Sequence, residues 1–347
     1  MRAFYHPEQA LHHPLVFMRS GVLAAPTDVP ERTARLLGAL ARHGITPEAS
    51  EIDGRAEAAR VHTERYLNFL ETAHARWKAL PNAGAEVFPN ISPYWNASPD
   101  QDARPDCPTD NIIGEAGYYM GDGAVAIGPM THVSAFRSAA TAAAAARAVA
   151  GGEAVAYALC RPSGHHCRVD QARGFCYLNN AAIAVEVLRE RFGKVATLDV
   201  DAHHGDGTQE VFYRRDDVLN ISVHVDPREY YPWFIGFDHE TGSGKGKGFN
   251  VNLPLPVGSG DGPFLAAVDD ALARIKAFGA EVLVLSLGYD AHAADPLTAL
   301  SVTTPGFAAV GERIRAAGLP VVIVQEGGYA IEVIGDCLDA FLTGFGA

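Results

Sequence analysis

Between Val195 and Thr208 the chain reads Val-Ala-Thr-Leu-Asp-Val-Asp-Ala-His-His-Gly-Asp-Gly-Thr. Asp199, Asp201, His203, His204 and Asp206 thus lie in and just behind a short apolar, β-branched run, Val195 to Asp201. That run has the make-up of a buried parallel strand. In a strand, residues i and i+2 share a side, so Asp201 and His203 point at one spot beyond its end. A carboxylate oxygen and an imidazole nitrogen fit two positions around Zn²⁺ or a similar divalent ion. Asp199, one step back on the same face, can orient a neighbouring histidine or hold a second cation. An isolated Asp-x-His more often just caps a strand; the chemistry here rests on what the other segments add.

Three further strand ends add to it. Ala154 to Cys160 runs into Arg161-Pro-Ser-Gly-His-His-Cys167, with His165 and His166 in tandem. Glu281 to Leu287 delivers Gly288-Tyr-Asp290, and Pro320 to Val324 delivers Gln325-Glu-Gly-Gly-Tyr329. Asp201, His203 and Asp290 make three metal ligands and leave a position open, the form of a catalytic rather than a closed structural site. Such a metal polarises a carbonyl and lowers the pKa of a water. His165 and His166 suit proton transfer near neutrality. Asp199 and Asp206 can each hold one of these rings through its second nitrogen. Tyr329, after two glycines, can donate to a developing oxyanion. The sum is metal-assisted hydrolysis of an amide.

These strands must be placed by the elements between them. A strand is expected at Arg2–Tyr5 and a helix from near Pro30. A further helix is expected from Val61 through Leu70 to about Lys78. Thr131–Ala150 reads as an alanine-rich helix closed by Gly151-Gly152. Another helix follows from Gly174-Phe-Cys-Tyr-Leu-Asn-Asn180 to about Phe192. Val218–His224 reads as a strand, Phe264–Phe278 and Pro305–Ala317 as helices, and the C-terminus as a last helix. The alternation predicts an α/β fold: one domain over residues 1–347 with a doubly wound, mostly parallel sheet. Ligands in such sheets bind beyond the carboxyl ends of the strands. Residues 81–117, punctuated by prolines, read as one long functional loop. Tyr94 and Trp95 beside Asp100, Asp102, Asp106, Asp110 and Glu115 suit a cationic ligand there.

Composition narrows the partners. The 347 residues are 48% hydrophobic and carry a formal net charge of -13. That argues against nucleic acid or an anionic membrane and favours a cationic substrate. The five cysteines (Cys107, Cys160, Cys167, Cys176, Cys337) contain no C-x-x-C pair. A reducing cytoplasm is the simplest home, and no apolar run has signal or membrane-spanning length.

Taken in order, R-P-x-G-H-H, G-x-C-x-x-N-N, D-x-D-x-H-H-G-x-G-T and E-G-G-Y resemble the histone deacetylase superfamily of arginase-like fold. The resemblance runs from the His62-x-x-x-Tyr-Leu segment to the end of the chain. The proline-rich stretch, Cys107-Pro-Thr-Asp110, Gly117-Tyr-Tyr119 and Ser222-Val-His-x-Asp-Pro227 look most like the bacterial acetylpolyamine amidohydrolases within it. The resemblance implies a zinc site at Asp201, His203 and Asp290, with iron(II) as an alternative metal in the cell. It implies His166 as general base with Asp206 behind it, His165 with Asp199 as its electrostatic partner, and Tyr329 on the scissile carbonyl. Phe175 and Tyr231 match the channel aromatics, with Gly174 beside them. Glu115, Trp95 and Gly328 complete the implied substrate contacts. Asp199, Ser222, Val223, Phe212 and Val218 match structural potassium sites. A homodimer or homotetramer built through the 81–117 loop is also implied. Phe17 and Tyr231 stand where a polyamine-selective relative more often has an acid and a phenylalanine. Ile112 and Ile113 interrupt the segment where an acid is expected, leaving Glu115 or Asp110 to substitute.

The expected substrate is a small cationic acetylated amine. Hydrolysis of acyl-lysine or of another small amide uses the same parts. A two-metal ureohydrolase, suggested by Asp290-Ala-His292, would need further bridging ligands. A binding protein that had lost catalysis would be expected to lack Tyr329 or a histidine.

Overall fold

Runs of Val, Ile, Leu and Ala that are apolar on both faces become the strands of one parallel sheet. A computed structural model describes residues 1–93 and 104–347. The strands are β1 (Arg2–Phe4), β2 (Phe17–Arg19), β3 (Val22–Ala24), β4 (Val155–Ala158), β5 (Val195–Asp199), β6 (Val218–Val225), β7 (Asn250–Leu255), β8 (Val282–Leu287) and β9 (Val321–Gln325). Seven of them form the sheet β1-β4-β9-β8-β5-β6-β7, parallel throughout, while β2 and β3 make a separate antiparallel hairpin.

The helices are α1 (Glu31–Arg42), α2 (Gly54–Ala58), α3 (Glu64–Lys78), α4 (Ile112–Tyr119), α5 (Thr131–Ala150), α6 (Asn180–Leu188), α7 (Asp206–Phe212), α8 (Asp261–Phe278), α9 (Thr304–Ala316) and α10 (Ile334–Phe345). Alternate strand residues feed two cores, as the period of two requires. Val282, Val284, Val322 and Val324 join the core that contains residues of α3, α4, α5 and α6. Leu283, Leu285, Val321 and Ile323 join the one that contains residues of α1, α8, α9 and α10. The small side chains of α5, buried from Ser138 to Ala146, let that helix lie close against its neighbours.

Several expectations are corrected. Thr63 accepts from the Tyr66 N–H and caps α3, so that helix starts at Glu64 rather than Val61. The strand expected to reach Asp201 ends at Asp199, because the following backbone N–H groups turn to carboxylates: Asp201 N donates to Asp199 Oδ1 and Ala202 N to Asp290 Oδ1. The 81–117 segment is not all loop, since Asn111 caps α4 through the Ile113 N–H. Ile112 and Ala116 bury its apolar side. Tyr94, Trp95, Asp100 and Asp102 lie outside the described residues. Sequence reading missed β7, whose alternating asparagines and Pro254 do not read as a strand. Its edge position explains why proline is tolerated. It also missed the three-residue strands β2 and β3, α2, and α7, which is built on the Asp-Gly-Thr tail of a motif read only for chemistry.

A buried ion cluster ties the N-terminal segment to the histidine-bearing loop. Asp28 Oδ1 accepts from Arg32 Nη1 at 2.6 Å and from Arg161 Nε at 2.8 Å, and none of the three is more than 2% exposed. Burial alone would raise the Asp28 pKa, but the Arg161 and Arg32 charges outweigh it and hold it well below the carboxylate range. A depressed folded pKa stabilises at pH above the unfolded value of about 4 and is lost as the pH falls through the folded one. Asp28→Asn should therefore lower unfolding stability at pH 7 by about 3–5 kcal/mol, the loss expected on breaking a buried pair. Urea denaturation across pH 3–7 should show that the variant has lost part of the wild type's acid sensitivity.

Candidate active site

The four strands whose ends carry unusual residues are neighbours: β4, β9, β8 and β5 run side by side at the middle of the sheet. Their C-terminal ends bring the tandem histidines, Tyr329, Asp290 and the Asp201/His203 pair to one rim.

At its floor, His203 Nδ1 lies 3.1 Å from Asp201 Oδ1 and 3.0 Å from Asp290 Oδ2. One ligand atom from each of the three residues falls within 4.8 Å of the others. Two buried carboxylates beside an imidazole make a donor set suited to a divalent cation of zinc's preferences. Burial and the Asp201 charge push Asp290 up to about 7. Burial opposes charge on His203, yet Asp290 and Asp201 carry it up to about 10. The carboxylates need two glycines: an added Cβ would stand 2.1 Å from Asp201 Oδ2 at Gly288 and 2.2 Å from Asp290 Oδ2 at Gly327. His165, Cys176 and Glu326 form a second cluster of comparable span. There, Glu326 Oε2 already accepts the Gly164 and His165 N–H groups, and burial pushes the Cys176 thiol well above its ordinary value.

The two histidines are oriented by separate acids. His165 Nδ1 meets Asp199 Oδ2, and His166 Nδ1 meets Asp206 Oδ1, each at 2.8 Å. Burial works against a charged His165, but Asp199 and Asp201 bring it up to about 10. Burial and the adjoining His165 push His166 down to about 3. Asp206 is further held by Arg173 Nη1 at 2.8 Å and Arg168 at 3.3 Å. Against burial, Arg173, the His166 hydrogen bond and Arg168 keep it well below the usual range.

Aromatic rings surround this floor. Tyr231 stands perpendicular to His166 at 5.0 Å. Phe175, at a φ of 67°, meets Tyr329 and Phe17 edge-on, each at 5.5 Å. Gly174 presses its backbone to His166, since a Cβ there would lie 2.4 Å from His166 Cδ2. Tyr329 is buried, and Arg32 covers its ring at 4.7 Å. The Gly328 carbonyl accepts Arg32 Nε at 2.5 Å.

Other candidates sit elsewhere. Glu115 lies on α4 with its carboxylate 2.5 Å from Arg76, and Trp95 is outside the described residues. Asp199 and Ser222 are register partners on β5 and β6. Ser222 Oγ is 2.8 Å from His224 Nδ1, Val223 follows on β6, and Phe212 and Val218 flank the α7–β6 turn. Sequence reading missed Arg32, Arg168, Arg173, Glu326, Asp295 and Asp122. Asp122 accepts from the Tyr231 hydroxyl at 2.7 Å and the Gly174 N–H at 3.1 Å. Glu326, the first residue of the E-G-G-Y motif, and Arg168, just past the tandem histidines, were within reach. Arg32 and Asp122 come from distant segments with no local signal.

A family model described as histone deacetylase domain matches residues 27–345. An acetylpolyamine amidohydrolase of Burkholderia pseudomallei is 47% identical over 100% of this chain and 99% of its own. One from Mycoplana ramosa is 39% identical over 96% of each. The crystal structure of the acetylpolyamine aminohydrolase from Burkholderia pseudomallei superimposes with a TM-score of 0.95, covering 100% of this chain and 99% of that one, at 47% identity. With one seven-stranded parallel sheet, this rim and a family match over nearly its whole length, the chain belongs to the histone deacetylase family.

Proposed function

We propose that the protein is a metal-dependent amidohydrolase that removes acetyl groups from acetylated polyamines or similar small cationic amines. The observation that carries the reading is the convergence, on one buried rim, of the Asp201–His203–Asp290 cradle, two separately oriented histidines and Tyr329. Support for the substrate class comes from the names of the full-length relatives and from the net charge of -13, which steers cations.

A zinc or iron(II) ion held by Asp201, His203 and Asp290 would polarise the amide carbonyl and lower the pKa of a water. His166, kept neutral by burial and with Nδ1 committed to Asp206, offers Nε2 as the base that takes a proton from the attacking water. The charged His165 beside it favours the negative charge that develops. Tyr329 donates its hydroxyl to the carbonyl oxygen as that charge grows. The C–N bond then breaks, the amine leaves with the proton held at the histidine pair, and acetate remains. Phe175 and Tyr231 flank the methylene chain and exclude water.

Other parts of the reading rest on the family alone. Potassium at Asp199, Ser222 and Val223, and beside Phe212 and Val218, would brace β5 and β6. Assembly of two or four copies through the 81–117 segment would narrow the entrance. No helix among the described residues is long and apolar enough to cross a membrane. All five cysteines are free thiols, in keeping with a reducing cytoplasm.

Steady-state kinetics of the zinc-loaded protein on acetylputrescine, acetylcadaverine, acetylspermidine and an acetyl-lysine peptide test the substrate. The small amines should be preferred, and preference for the peptide would replace the polyamine reading with a protein-directed one. His166→Ala should lose about 10²–10⁴-fold in kcat with zinc still bound, and Tyr329→Phe about 10²–10³-fold. Because burial and their mutual charges raise the affinity of Asp290 and His203 for protons that ligation must displace, zinc affinity should fall as the pH drops from 8 to 6. Calorimetry in buffers of different ionisation enthalpy should register the released protons.

A further inference from the structure

Tyr329 stands on Glu326–Ala330, five residues that belong to no helix or strand. Gly327 and Gly328 precede it, and Gly328 has a φ of 116°, a conformation open to glycine alone. With no helix or sheet ladder to hold it, this backbone takes its place from the side chains that bind it. Any shift of that backbone at the Gly328–Tyr329 peptide carries the Tyr329 Cα, and with it the ring and hydroxyl, relative to the rim.

That peptide unit is held at both poles. Its carbonyl, Gly328 O, accepts Arg32 Nε at 2.5 Å. Its N–H, from Tyr329, donates to Asp295 Oδ2 at 2.6 Å, and the next N–H, from Ala330, reaches the same oxygen at 2.9 Å. Asp295 Oδ1 accepts the Leu297 N–H at 2.9 Å. Asp295 is 6% exposed, and these hydrogen bonds all run to main-chain donors. A buried carboxylate is costly unless hydrogen-bonded, and such bonds are strong because the acceptor is ionised. Asp295 also lies on the segment that leaves β8 through Asp290, so its grip links the tyrosine loop to the metal-cradle loop.

We propose that Asp295 is a positioning residue for the reaction: opposite Arg32, it anchors the Gly328–Tyr329–Ala330 backbone and so fixes where the Tyr329 Cα, ring and hydroxyl stand. The inference rests on the amidohydrolase reading for its kinetic test, and on geometry alone for its exchange test. In the zinc-loaded enzyme, Asp295→Ala should lose about 10²-fold in kcat, the effect of misplacing a reacting group by about 1 Å. KM and zinc content should stay near wild type. Asp295→Asn, whose amide oxygen can still accept the Tyr329 and Ala330 N–H groups while its NH2 loses the Leu297 bond, should recover part of the rate. In a Tyr329→Phe background, Asp295→Ala should add almost nothing, since two residues acting through one group are not additive. Unchanged kcat in Asp295→Ala, multiplying losses in the double variant, or loss of zinc would each overturn the proposal. If the alanine variant does not fold, the asparagine variant and the wild type decide. Hydrogen exchange in wild type should show the Tyr329 and Ala330 amides strongly protected, and rapid exchange there would overturn the lock. Should the wild type turn over no acetylated amine, the functional reading falls while the exchange result still judges the lock.

Discussion

Buried negative charge is the constraint on which the rest of this molecule depends. Asp199, Asp201, Asp206, Asp290, Asp295 and Glu326 all end up inside, at one end of the sheet. A carboxylate leaves water only when something else replaces the water. Each is answered differently: Asp206 by two guanidinium groups and an imidazole, Asp199 by His165, Glu326 and Asp295 by main-chain N–H groups. Asp201 and Asp290 are left facing one another across His203. Of these acids, that pair most needs a further positive charge. That is where the proposed metal ion would sit.

The parallel sheet is what makes this crowding possible. Its strand ends leave main-chain N–H groups unpaired by the ladder, and several of the acids use them. Because β4, β9, β8 and β5 are immediate neighbours, the spacing of the site follows from the strand spacing and the register. The helices contribute from a distance. Arg32 at the start of α1 reaches the tyrosine loop, and Asp206 is the first residue of α7. α7 therefore serves as structural element and orienting acid at once.

Much of this was legible in the chain itself. Apolar runs ending in Asp, His or Gly-Gly-Tyr marked the four central strands and their rim, because a parallel strand buried on both faces leaves little else for sequence to encode. The pairing of His165 with Asp199 and of His166 with Asp206 followed the alternatives that sequence allowed. What escaped was long-range. Arg32 and Asp122 lie far along the chain from their partners, and nothing local marks them. Asp295 sits in an ordinary Asp-Pro turn, and its role shows only once the tyrosine loop lies above it. Strand β7 escaped because its asparagines are buried by partners such as Gln209 and Glu240, so its inward residues look polar.

Gly288 and Gly327 leave no thickness between backbone and carboxylate oxygen. Even a methyl group at either would occupy the space of a ligand atom, so drift by single steps is closed at both positions. Along the aromatic wall, Gly174 carries the same prohibition, while the ring positions of Phe17 and Tyr231 do not. A lineage built on this chain is free to vary those ring positions while its floor stays unaltered, and diversity in the family should accumulate from the wall outward.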